Sequence, residues 1–145
     1  MDAVDAVNAV DVLQAALAAE DAAIYGYGVA GAMMNGADRA TAMTDWKEHQ
    51  EARDTLSAMI IKLGATPAAA SAAYEMPFPV RDATSARRLA AYLEDGVTTA
   101  YLSIVAVTDP TLRAFGALAM QPPASRAAAW RGTTSAFPGM PPKAL

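Results

Sequence analysis

The sequence predicts an all-α protein built as a four-helix bundle, and three observations carry that reading. Alanine fills 37 of the 145 positions while phenylalanine and tryptophan together fill five; this suits close-packed helices, because alanine has the best helix propensity and is poor in strands. Apolar residues recur every three or four positions over long stretches, the spacing of one helical face. Strong breakers separate those stretches, at Asn35-Gly36, Gly64, Pro67, Pro77, Pro79 and Asp109-Pro110. With 54% hydrophobic residues the chain is far too apolar for disorder. Its length is that of one domain, here residues 1–145, with a core that needs neither disulfide nor structural metal.

The first helix is read from about Asp2 to Met34. Its early aspartates, Asp2, Asp5 and Asp11, suit the positive end of the helix dipole. Asn35-Gly36 stops it, glycine being the residue that tolerates a left-handed terminating conformation. The second helix runs from about Asp38 to Leu63, with Gly64 and Pro67 beyond it. The third starts near Asp82 and reaches about Val107. Asp109-Pro110 opens the fourth with an N-cap and a proline at the first helical position. That helix extends to about Arg131, and Pro122-Pro123 must kink or split it. Residues 132–145 hold three prolines and read as an extended tail over the bundle.

Connection lengths give the topology. Short turns join helices one and two, and three and four, so each pair is expected to be antiparallel. Between helices two and three lie Ala65 to Arg81, about 17 residues that span roughly 56 Å when extended. A helix of about 26 residues is only about 39 Å long. The loop can therefore run the length of the bundle and start helix three beside its far end. Two helical hairpins joined by one long crossover make the ferritin-like topology.

Composition also removes function classes. The formal charge is −4 and the sequence pI about 4.8, so nucleic acid is not an expected partner. There is no cysteine, which excludes disulfides, thiol catalysis and cysteine-bound metals, and a single histidine excludes multi-histidine sites. No basic leader precedes an apolar run, since the first Lys or Arg is Arg39, and the uncharged stretch Ala22 to Ala37 is too short and glycine-rich to span a bilayer. A soluble, cytoplasmic protein with no membrane partner is the expectation.

The helical seams mark where chemistry can sit. On helix one, Val10, Leu13, Leu17, Glu20, Ile24, Tyr27, Gly31 and Met34 share a face, with the carboxylate of Glu20 in the middle. On helix two, Ala42, Trp46, His49, Arg53, Leu56, Ile60 and Leu63 do the same around His49 and Arg53, which are four apart. Helix three carries Leu89, Leu93, Val97, Ala100, Ile104 and Val107, with Glu94 at the edge. Glu20 and Arg53 lie at similar distances from the Asn35-Gly36 turn, so they are expected to pair, with His49 in the same cluster. Gly26, Gly28 and Gly31 give helix one a smooth face, for close helix packing or a dimer contact.

Several short stretches together carry a family resemblance. Leu17-Ala-Ala-Glu20, Tyr25-Gly-Tyr27-Gly-Val29, His49 with Arg53-Asp54, Pro77-Phe-Pro-Val80, Leu93-Glu-Asp95 and Phe137-Pro-Gly139 occur in an order and spacing that cover nearly the whole chain. In these the chain resembles the ferritin-like domain of unknown function DUF4439, an alanine-rich actinobacterial group. The resemblance implies the ferritin-like bundle and no particular reaction. The departure from the family pattern is Pro122-Pro123, in an otherwise regular fourth helix.

A ferritin-like bundle invites a metal, so the ligands must be counted. A di-metal carboxylate site takes one Glu from each of two helices and a Glu-x-x-His from each of the other two. Glu20 and Glu94 fit the first role, but Trp46 stands three before His49, Glu48 and Glu51 point away from its face, and helix four offers neither Glu nor His. No metal, cofactor or catalytic set is therefore expected. The leading reading is a non-enzymatic structural or protein-interaction bundle, with a homodimer or another protein as partner. The alternative is a small-molecule binder or enzyme with a pocket among Glu20, Tyr25, His49, Arg53 and Glu94; a degenerate di-metal protein is a third. A solvent-open cavity at the seam favours the alternative, and a packed centre favours the first.

Overall fold

A computed structural model describes residues 3–140. The elements are α1 (Ala3–Ala32), α2 (Gly36–Lys62), α3 (Ala83–Val105), α4 (Pro110–Ala119) and α5 (Gln121–Arg131), with no strand among the described residues. Helix α1 packs on α2 and α3, and α4 and α5 pack on α3. The fourth column of the bundle is thus α4 followed by α5. Asp2 and the last five residues of the expected tail lie outside the described residues.

Local chemistry sets each boundary. Gly36 opens α2 at φ +56, a left-handed value that a side chain would strain. Asp82 and Ser85 form a capping box at the start of α3: the Asp82 carboxylate accepts from the Ser85 amide at 2.7 Å, and Ser85 Oγ accepts from the Asp82 amide at 3.1 Å. Asp109 accepts from the Thr111 and Leu112 amides at 2.8 and 2.9 Å and caps α4, with Pro110 at its first position. The fourth column splits at Met120, as Pro122-Pro123 requires. Met120 keeps right-handed helical angles (φ −73, ψ −19). The break is therefore a loss of hydrogen bonds, since neither proline has an N–H to donate back.

The crossover climbs along α1 from Gln14 past Tyr25. The Gln14 side chain donates to Thr66 O at 2.8 Å and accepts from the Ala68 amide at 2.9 Å, which fixes its beginning. Farther on, Tyr74 lies against Tyr25, and Phe78 meets Tyr92 edge-on. At the top, Arg87 of α3 bonds Asp38 of α2 at 3.0 Å. Helix α3 therefore starts beside the α1–α2 turn and descends antiparallel to α1, the ferritin-like arrangement.

Leu13, Leu17, Tyr27 and Met34 of α1 meet Leu56 and Ile60 of α2, and Leu89, Val97 and Ile104 of α3, in one core. Each such aliphatic side chain contributes about 1.5–3 kcal/mol on burial. Alanines 16, 23, 30, 86 and 90 are fully buried and let the helices approach closely. Two seam expectations are corrected here. Leu63 lies past the end of α2 and is exposed, and Glu94 is fully buried rather than at an edge. After Gly132, which closes α5 at φ 80, the chain runs without helix to Met140, and Thr99 Oγ1 donates to Gly139 O at 2.8 Å. No helix among the described residues is long and apolar enough to cross a membrane.

Candidate functional site: a buried ion network

Every column of the bundle supplies polar side chains to one buried network. Helix α1 presents Glu20 and Tyr27 two turns apart, α2 presents Asp45 and His49 one turn apart, α3 presents Glu94 and Tyr101, and α5 presents Arg126 and Trp130. Glu20, His49 and Glu94 are all at most 1% exposed. His49 Nδ1 lies 2.5 Å from Glu20 Oε2, and its Nε2 lies 3.0 Å from Glu94 Oε1. Both ring nitrogens thus face carboxylate acceptors, and only the imidazolium can donate to both. Burial works against that charge, but the bonds to Glu20 and Glu94 outweigh it and push the His49 pKa up to about 9.

The other members complete the arrangement. Tyr101 donates to Glu20 Oε1 at 2.7 Å, and Tyr27 donates to Glu94 Oε1 at 2.6 Å. Arg126 Nε donates to Glu94 Oε1 at 2.8 Å, and its Nη1 donates to Glu48 Oε2 at 2.6 Å. Trp130 Nε1 donates to Asp45 Oδ2 at 3.0 Å and lies 2.9 Å from the Tyr27 oxygen. Burial raises the Asp45 carboxyl above its ordinary range. Burial pushes Glu94 the same way, yet His49 and Arg126 overcome it and hold Glu94 low. Desolvation and the neighbouring carboxylates raise both tyrosines, so they remain neutral donors. Among the described residues, only Glu94 Oε2 is a buried side-chain polar atom with no hydrogen-bond partner.

Of the expected cluster, Glu20, His49 and Glu94 come together, and Tyr25 and Arg53 stay outside. The buried face of α2 runs through Asp45, His49, Leu56 and Ile60, and Ala52 and Arg53 are both half-buried beside it. Arg53 bonds its neighbour Asp54 at 2.9 Å, and its charge acts on Asp21. The expected Glu20–Arg53 pair is not formed. Tyr25, two residues from the buried Tyr27, falls on another side of α1 and lies against Tyr74 of the crossover. The cation that closes the network is Arg126, from the column whose phase Pro122-Pro123 obscures. Tyr27 stands in the helix-one seam, but nothing marks it as a donor; Asp45 was missed, and its place four before His49 is the signal that could have found it. Glu48 faces away from His49 as expected, yet it reaches Arg126 across the bundle.

A cavity of about 230 Å³ opens to solvent beside this network, with Glu20, Glu48, Tyr101, Phe115 and Arg126 among its walls. His49 and Glu94 do not line it. The donor set does not fit a di-metal centre. Both imidazole nitrogens and both Glu20 oxygens are already bonded within the protein. The fourth column brings a guanidinium where a ligand is needed. Among the described residues, no group of three or more His, Cys, Asp or Glu could hold a metal ion.

Comparison with known proteins bears on the fold and the family. The structure is similar to the crystal structure of a conserved hypothetical protein, rv2844, from Mycobacterium tuberculosis, with a TM-score of 0.82 and 29% identity over 91% of this chain and 98% of that one. No curated protein matches the chain. The family model described as a domain of unknown function, DUF4439, matches residues 12–142, which takes in all of the network and the whole crossover. This all-helical chain belongs to the DUF4439 family.

Proposed function

We propose that the protein is a non-enzymatic, metal-free structural or interaction module, in which the ion network ties the helices together as a metal centre would. One observation carries this reading: the His49 imidazolium bridges Glu20 of α1 and Glu94 of α3 from α2, and Arg126 links Glu94 to α5. The groups that would bind metal or move protons are spent on one another. A protein partner, a second copy of the chain first among them, is supported by a shallow groove of about 280 Å³ between α1 and α2, lined by Gly28, Gly31, Met43 and Trp46. The test is calorimetric titration of the protein and of Arg126→Ala with ferrous, manganous and zinc ions, beside sedimentation analysis. No stoichiometric metal binding at micromolar concentration is expected from either protein, because removing the guanidinium supplies no ligand. Two tight ferrous sites would overturn the reading, and a monomer at high concentration would remove the homodimer.

A second reading rests on the 230 Å³ cavity, which brings solvent to Glu20 and Tyr101. It supports a small ligand held against the network. Ligand-dependent amide shifts confined to Thr55, Phe115 and Tyr101 would favour it over the structural role.

A further inference from the structure

We infer that the outer face of α3 carries a binding groove for a small anion bearing a planar ring, of the size and chemistry of a mononucleotide. The groove measures about 790 Å³, within the range of small-molecule sites. It lies apart from the cavity beside Glu20. Arg88 and Tyr92, four apart, are neighbours on α3, and Arg87 beside Arg88 lines the same groove; Phe78 of the crossover and Trp130 and Arg131 of α5 complete the walls. Three guanidinium groups and three aromatic rings thus line one groove of a chain whose net charge is −4.

The guanidinium groups are held in place. Asp38 fixes Arg87 at 3.0 Å, with its guanidinium carbon 6.0 Å from the centre of the Trp130 ring. Asp95 fixes Arg131. The Arg88 guanidinium carbon lies over the Phe78 ring, 4.1 Å from its centre, and among the described residues no carboxylate pairs with Arg88. Arg88 is therefore the cation whose donors are available to an anion, and its stacking on Phe78 orders it beforehand. Tyr92 is 54% exposed and gives a ring face on which a planar group can stack. Trp130 is anchored from beneath by its bond to Asp45, so the floor of the groove is rigid. Arginine matches the oxygens of phosphate or carboxylate with paired donors, and the rings supply stacking, which selects an aromatic anion over a bare one.

Amide chemical-shift titration with AMP, adenosine and inorganic phosphate tests this on the wild type, on Arg88→Gln and Tyr92→Ala, and on Arg113→Gln, which lies outside the groove. AMP is expected to give saturable shifts at Arg88, Tyr92 and Gly132 with a Kd at or below about 1 mM. Adenosine and inorganic phosphate are each expected to bind at least about tenfold more weakly, and Arg88→Gln and Tyr92→Ala to weaken AMP by about tenfold, with Arg113→Gln unchanged. Both groove residues are exposed, so the variants keep the fold. The inference is overturned if AMP shifts do not saturate or fall elsewhere. It is equally overturned if adenosine or phosphate binds as tightly as AMP, or if Arg88→Gln binds as the wild type does.

Discussion

His49 decides the character of the centre, because each of its ring nitrogens meets a buried carboxylate. Removing it leaves Glu20 and Glu94 without the charge that sits between them. His49→Ala should therefore lower stability by on the order of 3–5 kcal/mol, the cost of breaking a buried pair from one side. Arg53→Ala should cost less than about 1 kcal/mol, since Arg53 bonds only an exposed neighbour. Urea melts of the two variants check both values; an Arg53→Ala loss as large as that of His49→Ala would mean that Arg53 reaches the network. At this scale the sequence was partly legible. Glu20 and His49 stand out as charges inside apolar stripes, and a buried charge demands a partner. In the sequence Arg53 alone stands out as the cation; Arg126 fills that place from a helix whose phase two prolines hide. Tyr25 and Tyr27 both looked available, and only the rotation of α1 separates them.

Helix contacts explain which glycines are needed. A Cβ at Gly116 of α4 would meet Ile104 Cβ at 2.9 Å and the Tyr101 carbonyl at 3.0 Å, and that backbone cannot step aside. A Cβ at Gly28 of α1 would meet nothing within 4 Å. Gly116→Ala should destabilise by about 1–3 kcal/mol through overpacking. Gly28→Ala should stabilise by up to about 1 kcal/mol, because alanine gives up less freedom in a helix. Thermal melts of the two variants should move in opposite directions; a large loss at Gly28 would reveal a surface that closes on that face. Gly26 is the glycine of α1 that serves close packing, against Leu93. Spacing alone could not rank the three glycines of α1, since each lies within one turn of the next. Element order and the long crossover were legible because breakers and loop length are local facts. The face that each helix turns inward is set by its neighbours.

Across the whole molecule the network makes stability depend on pH, and the directions of its members fix the shape. The His49 pKa is raised from 6.5 to about 9 by Glu20 of α1 and Glu94 of α3. Its contribution is present in full below pH 6.5 and is lost as pH rises through 9. A shift of that size corresponds to roughly 3 kcal/mol. Asp45 of α2, raised by burial, acts in the same direction: it favours the folded state while neutral and loses that contribution as it ionises. Glu94 acts oppositely, since its depressed pKa adds stability above its ordinary 4.5 that disappears on acidification. Arg126 of α5 stays charged throughout, and Tyr27 and Tyr101 stay neutral. Stability should therefore be greatest near pH 5–6 and fall between about pH 6.5 and 9.5, by up to roughly 3 kcal/mol. Surface repulsion in an acidic chain also grows with pH, so the decisive quantity is the difference between the wild type and His49→Gln. Urea midpoints from pH 5 to 10 should show a steep alkaline decline in the wild type and a flatter one in His49→Gln. Parallel curves for the two proteins would show that His49 is neutral at pH 7, and the bridge between Glu20 and Glu94 would then have to be redrawn with one nitrogen lacking its proton.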